Sequence, residues 1–301
     1  MGASVRFVGY SAKDPSRRRR SLLGSTYWFL KSRVVYDSLL APYGVLRHKV
    51  LLATCDRTQR HTYTCFRRSP TQLEALIGPV YEFLDGPSLG RPLEILVLAC
   101  SNGAEAYTLA SVLNKRLPGV DFRILAADLH PEMIEIASAG SYAPEEALQS
   151  EYVTPEFVGD TFDIIDGRYV VKPEVRARVS FAQADLLSNE LHTRFGPADI
   201  VTAQNVLFHL SPAAARQAFG NIVKLLRPRS ALFIDGMDQS LRIELTERYG
   251  LEPLAYKRRK IYNEIRVHTP LDWWRYYWGS EPYSRLRTRR TRRYGTIFLK
   301  R

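Results

Sequence analysis

The chain has 301 residues, 45% of them hydrophobic, and a formal net charge of +12. That length accommodates a core domain of ~200 residues plus an appendage, with the apolar content of an ordinary soluble globular protein. No apolar run reaches the ~20 residues of a membrane span, and Cys55, Cys65 and Cys100 form neither a disulfide framework nor a metal pattern, which fits a reducing cytoplasm.

The positive charge is unevenly placed. SRRRRS lies at 16–21, KRRK at 257–260, and RLRTRRTRRYGTIFLKR closes the chain. Basic ends of this kind suit an acidic partner: nucleic acid, anionic lipid or an acidic protein surface. They equally suit solvated tails that keep a protein soluble. RRRRSLLGSTYWFL has the outline of an export signal. Its apolar part is short, Lys31 and Arg33 come directly after it, and no cleavage site is present, so it is not read as one.

In chain order, residues 1–60 are basic and aromatic, with a helix expected near 22–40, before Pro42. A second helix is expected at 70–84, where Leu73, Leu76, Ile77, Val80 and Leu84 recur at spacings of three and four. DGPSLGRP (85–92) reads as a linker from its glycines and prolines. Short apolar strands come next: EILVLA (94–99), FRILAA (122–127), VSFAQA (179–184), ADIVTA (198–203) and ALFID (231–235). Helical stretches separate most of them, which argues for an α/β fold, a parallel sheet with helices on both faces. One helix is well signposted. Ser211 caps it, Pro212 suits its first turn, Ala215, Phe219, Ile222, Val223 and Leu226 form its buried stripe, and Pro228 stops it. Asp166-Gly167, between strand-like runs in 161–181, signals a hairpin and hence a small antiparallel insertion before the third core strand. The expected division is a basic, mostly helical region (1–88), a ligand-binding domain (89–268) with its β insertion at about 142–178, and an aromatic and basic tail (269–301).

The run EILVLACSNGAEAY (94–107) carries the chemistry. A strand ends in a small-residue turn and a helix begins, as in nucleotide-binding folds, where ligands sit at the carboxyl ends of strands. Only Gly103 is present where the dinucleotide fingerprint has three glycines. One glycine leaves little backbone room for a pyrophosphate, but enough for a smaller anion at the helix N-terminus. Glu105 would repel phosphate and attract an ammonium or sulfonium. Asp128 closes the second strand, where an acid accepts hydrogen bonds from ribose hydroxyls. Asp185 closes the third, within reach of an adenine amino group, and Asn205 closes the fourth. Singly, each acid also reads as a cap or turn residue. The ligand carrying carboxylate, ammonium, sulfonium and nucleoside together is S-adenosylmethionine, the expected cofactor.

From about Thr62 to Ile265 the sequence resembles the CheR-type methyltransferases, which methylate glutamate side chains of bacterial chemoreceptors. TCFRRSPTQLEAL (64–76), LACSNGAEAYT (98–108), ADLH (127–130), DLL (185–187) and QNVLFHL (204–210) match that family's motifs in order and spacing. The resemblance implies a Rossmann-like class I methyltransferase sheet with a small β-subdomain at the predicted hairpin; the short N-terminal helical region is read from the residues, since the family's N-terminal helical domain is not recognisable in residues 1–60. The resemblance also implies a cofactor pocket lined by Thr64, Arg68, Glu105, Asp128, Asp185, Leu186, Asn205 and Val206, with Cys100, Gly103 and Leu129 from the same motifs. Read from the residues alone, Cys100 and Tyr107 are packing groups. The chain departs from the family at Ala104 (a glutamate there), Gln204 (an arginine), His209 (an active-site tyrosine) and DGMDQS at 235–240, in place of G-H-S-E. Most of the cofactor set is kept and the acceptor side is altered.

Arg68 and His209 are therefore the expected catalytic residues. Arg68 would steer an acceptor carboxylate or bind the cofactor's own. His209 would hydrogen-bond the acceptor, take a proton from it, or simply pack. Three functions fit: a methyltransferase acting on a carboxylate in a protein or small acidic metabolite, a cofactor-binding module without turnover, and a nucleic-acid methyltransferase using the basic ends and aromatic tail.

Overall fold

The structure is a computed structural model, and it describes residues 64–267, 283, 285 and 288–301. The helix expected at 22–40, the SRRRRS run, Cys55 and the WWRYYW stretch lie outside the described residues.

The five expected core strands form. They are β1 (Leu93–Leu98), β2 (Phe122–Asp128), β6 (Val179–Gln183), β7 (Ala198–Ala203) and β8 (Leu226–Ile234), with β3 (Ser141–Tyr142), β4 (Phe162–Ile165) and β5 (Arg168–Val171) between β2 and β6. Two more strands, β9 (Glu252–Pro253) and β10 (Ile297–Lys300), complete a seven-stranded sheet of order β6-β2-β1-β7-β8-β10-β9. The first five run parallel, and β10 is antiparallel to both neighbours. From β1 the order runs one way through β2 to β6 and the other way through β7 to β8. A reversal of this kind leaves a crevice at the strand carboxyl ends.

Both faces of the sheet are covered, which explains the continuous apolar strands. Leu93, Ile95 and Val97 of β1 pack with α1 (Pro70–Ala75) and α2 (Ala104–Arg116). Leu96 and Leu98, alternating with them, pack against α8 (Pro212–Lys224) and α9 (Gln239–Arg248). Between these, in chain order, lie α3 (Pro131–Ala139), α4 (Pro144–Ala147), α5 (Pro155–Thr161), α6 (Pro173–Arg176) and α7 (Leu191–Phe195); α10 (Arg258–Val267) and α11 (Arg290–Arg293) come after α9. No helix among the described residues is long and apolar enough to cross a membrane.

The expected hairpin forms around Asp166-Gly167, both at positive φ, pairing β4 with β5 while β3 pairs on the other side of β5. Three details differ from the sequence reading. The 70–84 helix is interrupted by a wide turn over Leu76–Val80. Pro79 lies inside it and Gly78 leaves helical geometry (φ −110°, ψ −107°), because a proline has no N–H to donate and crowds the preceding turn. The Ser211 cap forms (Ala214 N–H to Oγ, 3.3 Å), but the helix ends at Lys224, and Leu226 opens β8 instead of closing the stripe. Pro228 lies inside that strand, where the register jumps between Ala198 and Ile200 of β7, so no ladder bond is asked of it. The closing segment, set apart by its composition, sends Ile297–Lys300 into the main sheet.

Candidate functional site

The β1–α2 turn is shaped by backbone conformation. Ala99, Ser101 and Gly103 all have positive φ, and Gly103 (φ 85°) begins α2. The glycine admits protein packing: a Cβ there would lie 2.9 Å from Ala137 Cβ and 3.1 Å from the Phe181 ring. Gly103→Ala is therefore expected to destabilise the fold by ~1–3 kcal/mol, through overpacking and left-handed strain together. Urea unfolding that shifts by less than ~0.5 kcal/mol would contradict this packing.

Asp128 secures the same turn from β2. Its Oδ2 accepts the Ser101 N–H (2.7 Å) and its Oδ1 the His130 N–H (3.0 Å). The β insertion secures it from outside, since Tyr142 Oη donates to the Asn102 carbonyl (2.6 Å). Cys100 is buried, and burial raises its thiol pKa well above the ordinary value.

Beside this turn, Thr64, Arg68, Glu105, Thr202 and Gln204 line one pocket. Arg68 is 9% exposed. Its Nη2 donates to Gln204 Oε1 (2.5 Å) and lies 3.6 Å from Asp235 Oδ2. Asn205, at φ 53°, gives its N–H to Asp235 Oδ1 (2.8 Å). With its amide oriented to satisfy both neighbours, Asn205 donates to the same oxygen (3.3 Å) and accepts from Arg68 Nη1. Glu105 Oε1, Thr202 Oγ1 and Asp235 Oδ2 are all buried and accept or donate no hydrogen bond. Burial pushes the Glu105 carboxyl above its ordinary range, and nearby Arg68 pulls it back.

The other expected residues do not line that pocket. Asp185 lies two residues past β6, exposed, with its Oδ1 accepting the Leu187 N–H (2.8 Å) in a turn. Leu186 and Val206 are half-buried against the core, and Leu129 is 50% exposed. His209 ends a short 3₁₀ turn, Leu207–His209, its ring centroid 4.0 Å from that of Phe208.

Sequence reasoning missed Asp235, Thr202 and Glu264, and read Gln204 as a mere departure. Asp235 carried the signal used for Asp128, an acid closing a strand. Glu264 gave none. From α10 its carboxylate accepts Thr71 N–H (2.9 Å), Thr71 Oγ1 (2.5 Å) and Ser69 Oγ (3.2 Å), capping α1 immediately after Arg68.

An open α/β sheet with this strand order, an acid after β2 and a charged pocket at the reversal belongs to the S-adenosylmethionine-dependent methyltransferases. Residues 62–254 match the family described as CheR methyltransferase, SAM binding domain, and the chain belongs to that family. S-adenosylmethionine is the cofactor of that domain. An uncharacterized 104.1 kDa protein of Rhodobacter capsulatus is 28% identical over 281 residues, 87% of this chain and 28% of that protein. A chemotaxis protein methyltransferase of Listeria monocytogenes is 31% identical over 193 residues, 63% of this chain and 68% of the relative. A probable biofilm formation methyltransferase, WspC, of Pseudomonas aeruginosa is 29% identical over 193 residues, 64% and 44%. The chain thus spans only 28% of the first relative's length.

Proposed function

We propose that this protein transfers a methyl group from S-adenosylmethionine to a carboxylate oxygen of an acidic acceptor, either a protein or a small acidic metabolite. One observation carries the reading: Arg68 and Glu105, opposite in charge, line one pocket beside the β1–α2 turn, and Glu105 Oε1 is buried without a partner. A buried charged oxygen left unpaired is costly. The ammonium of a zwitterionic ligand relieves that cost, while Arg68 takes the ligand's carboxylate. Asp128 has lone pairs left for ribose hydroxyls after accepting two N–H groups. Asp185 serves the adenine amino group. Leu129, Leu186 and Val206 supply apolar walls.

The bound cofactor supplies an electrophilic methyl group on a sulfonium. An acceptor carboxylate is already ionised at neutral pH, so the chain needs no base. Its residues have to hold one acceptor oxygen about 3 Å from the methyl, in line with the breaking bond, and exclude water. A net charge of +12 favours anionic substrates at longer range.

The test is labelled S-adenosylmethionine incubated with the protein and with lysate separated into protein, nucleic acid and small molecules. Label released as methanol in mild alkali is the expected result. Alkali-stable label, or label in nucleic acid, would refute the carboxylate reading, and binding without transfer to any fraction would refute turnover.

His209 provides a second check. With a carboxylate acceptor, His209→Gln should lower the rate less than about tenfold and leave the shape of the pH–rate profile unchanged. A loss of ~10²–10⁴-fold, with disappearance of a limb near neutral pH, would identify His209 as a general base and the acceptor as a hydroxyl, phenol or amine.

A further inference from the structure

Arg67, Arg68 and one acid, Glu105, line the pocket, and Arg67 donates to Thr154 Oγ1 (2.9 Å); a second acid, Asp235, stands next to Arg68 outside the lining. Arg68 donates to Gln204 and lies 3.6 Å from Asp235 Oδ2. Glu105 lines the same pocket, yet its Oε1 makes no hydrogen bond. Left to itself, a buried guanidinium beside a buried carboxylate closes onto it, because the low dielectric strengthens the pair. Something therefore keeps Arg68 on the other side.

We infer that Asp235 is a positioning residue: with Gln204 it holds Arg68 on the β7–β8 side of the pocket, so that Glu105 stays open to a cationic group. Asp235 is suited to this. It is 1% exposed at the end of β8, and its Oδ1 is fixed by the Asn205 N–H (2.8 Å), which leaves Oδ2 facing the guanidinium. The Asn205 loop is pinned in turn, because Gly236 packs so tightly beneath it that a Cβ there would lie 2.7 Å from Asn205 Cα. The Phe208 N–H also bonds the Gly236 carbonyl (2.9 Å). Asp235 thus has one oxygen for shaping the loop and one for aiming Arg68. The inference rests on the methyltransferase reading only for its probe ligand.

The test measures S-adenosylhomocysteine affinity by calorimetry in the full chain, for wild type, Asp235→Asn, Arg68→Gln and the double variant. Asp235→Asn keeps an oxygen for the Asn205 N–H and loses only the charge. It should weaken binding about tenfold or more by letting Arg68 collapse onto Glu105. The double variant should bind no more weakly than Arg68→Gln alone, since without Arg68 there is nothing to aim. A single-variant change below twofold, or losses that multiply, would overturn the inference. A purely structural role would give multiplying losses and a lowered melting temperature. Should Asp235→Asn not fold, Gln204→Leu removes the other anchor and must show the same dependence on Arg68. A separate readout needs no ligand. The Arg68 Nε–H signal in ¹⁵N spectra, identified by its absence in Arg68→Gln, should shift on Asp235→Asn or, in its place, Gln204→Leu, and an unmoved signal would overturn the inference. Absence of S-adenosylhomocysteine binding by the wild type would instead count against the methyltransferase reading and leave the spectral test to decide the role of Asp235.

Discussion

Asp128→Ala is expected to weaken S-adenosylhomocysteine binding by ~1–3 kcal/mol, the range for losing a charged hydrogen-bond partner. Two losses combine. In the proposed binding mode the ribose hydroxyls lose their acceptor, and the Ser101 and His130 N–H groups lose the carboxylate that joins the β1–α2 turn to the end of β2. The second loss matters because Ala99 and Ser101 hold positive φ in that turn, a conformation ordinary residues adopt only when neighbours impose it. Asp128→Asn should fall between wild type and alanine. Its amide can accept from one N–H, while its NH₂ must face the other donor. Calorimetry showing unchanged affinity for Asp128→Ala would remove Asp128 from the binding site.

Phe298→Ala should destabilise the protein by ~3–5 kcal/mol, the usual cost of truncating a buried phenylalanine. Phe298 is 0% exposed, in a strand that pairs with Leu232 on one side and Pro253 on the other. It belongs to the core layer that includes Phe219, Ile222 and Leu245 of α8 and α9. The same segment reaches toward the site: the Thr296 carbonyl accepts the Ile234 N–H (2.8 Å), one residue before Asp235, and Thr296 Oγ1 accepts from Gln72 of α1 (3.0 Å). Urea unfolding supplies the measurement. A loss below ~1 kcal/mol would show that the closing strand adds little to the sheet.

The sequence by itself determined the parallel half of the fold. Apolar runs of five or six residues, most of them separated by helical stretches, have few solutions other than a sheet covered on both faces. It also determined the hairpin, since Asp-Gly takes the positive φ that a tight turn requires, and the chemical types at the crevice, because residues closing parallel strands are brought to one edge by the topology alone. The places of Gly103 and Glu105 in the turn after β1, of Asp128 at the end of β2 and of Asn205 after β7 were legible for that reason. Tertiary structure decided the pairings. Whether Arg68 meets Glu105, Asp235 or Gln204 depends on side chains 37, 167 and 136 positions away in sequence, and local periodicity carries no information about such distances. Composition likewise marked the last residues as a basic tail, while Ile297–Lys300 became a strand because β8 presented an unpaired edge with an apolar layer on each face. Glu264 is the sharpest case. A glutamate in a basic, amphipathic helix reads as surface, and only the packing of that helix against α1 turns it into the buried cap that fixes the chain beside Arg68.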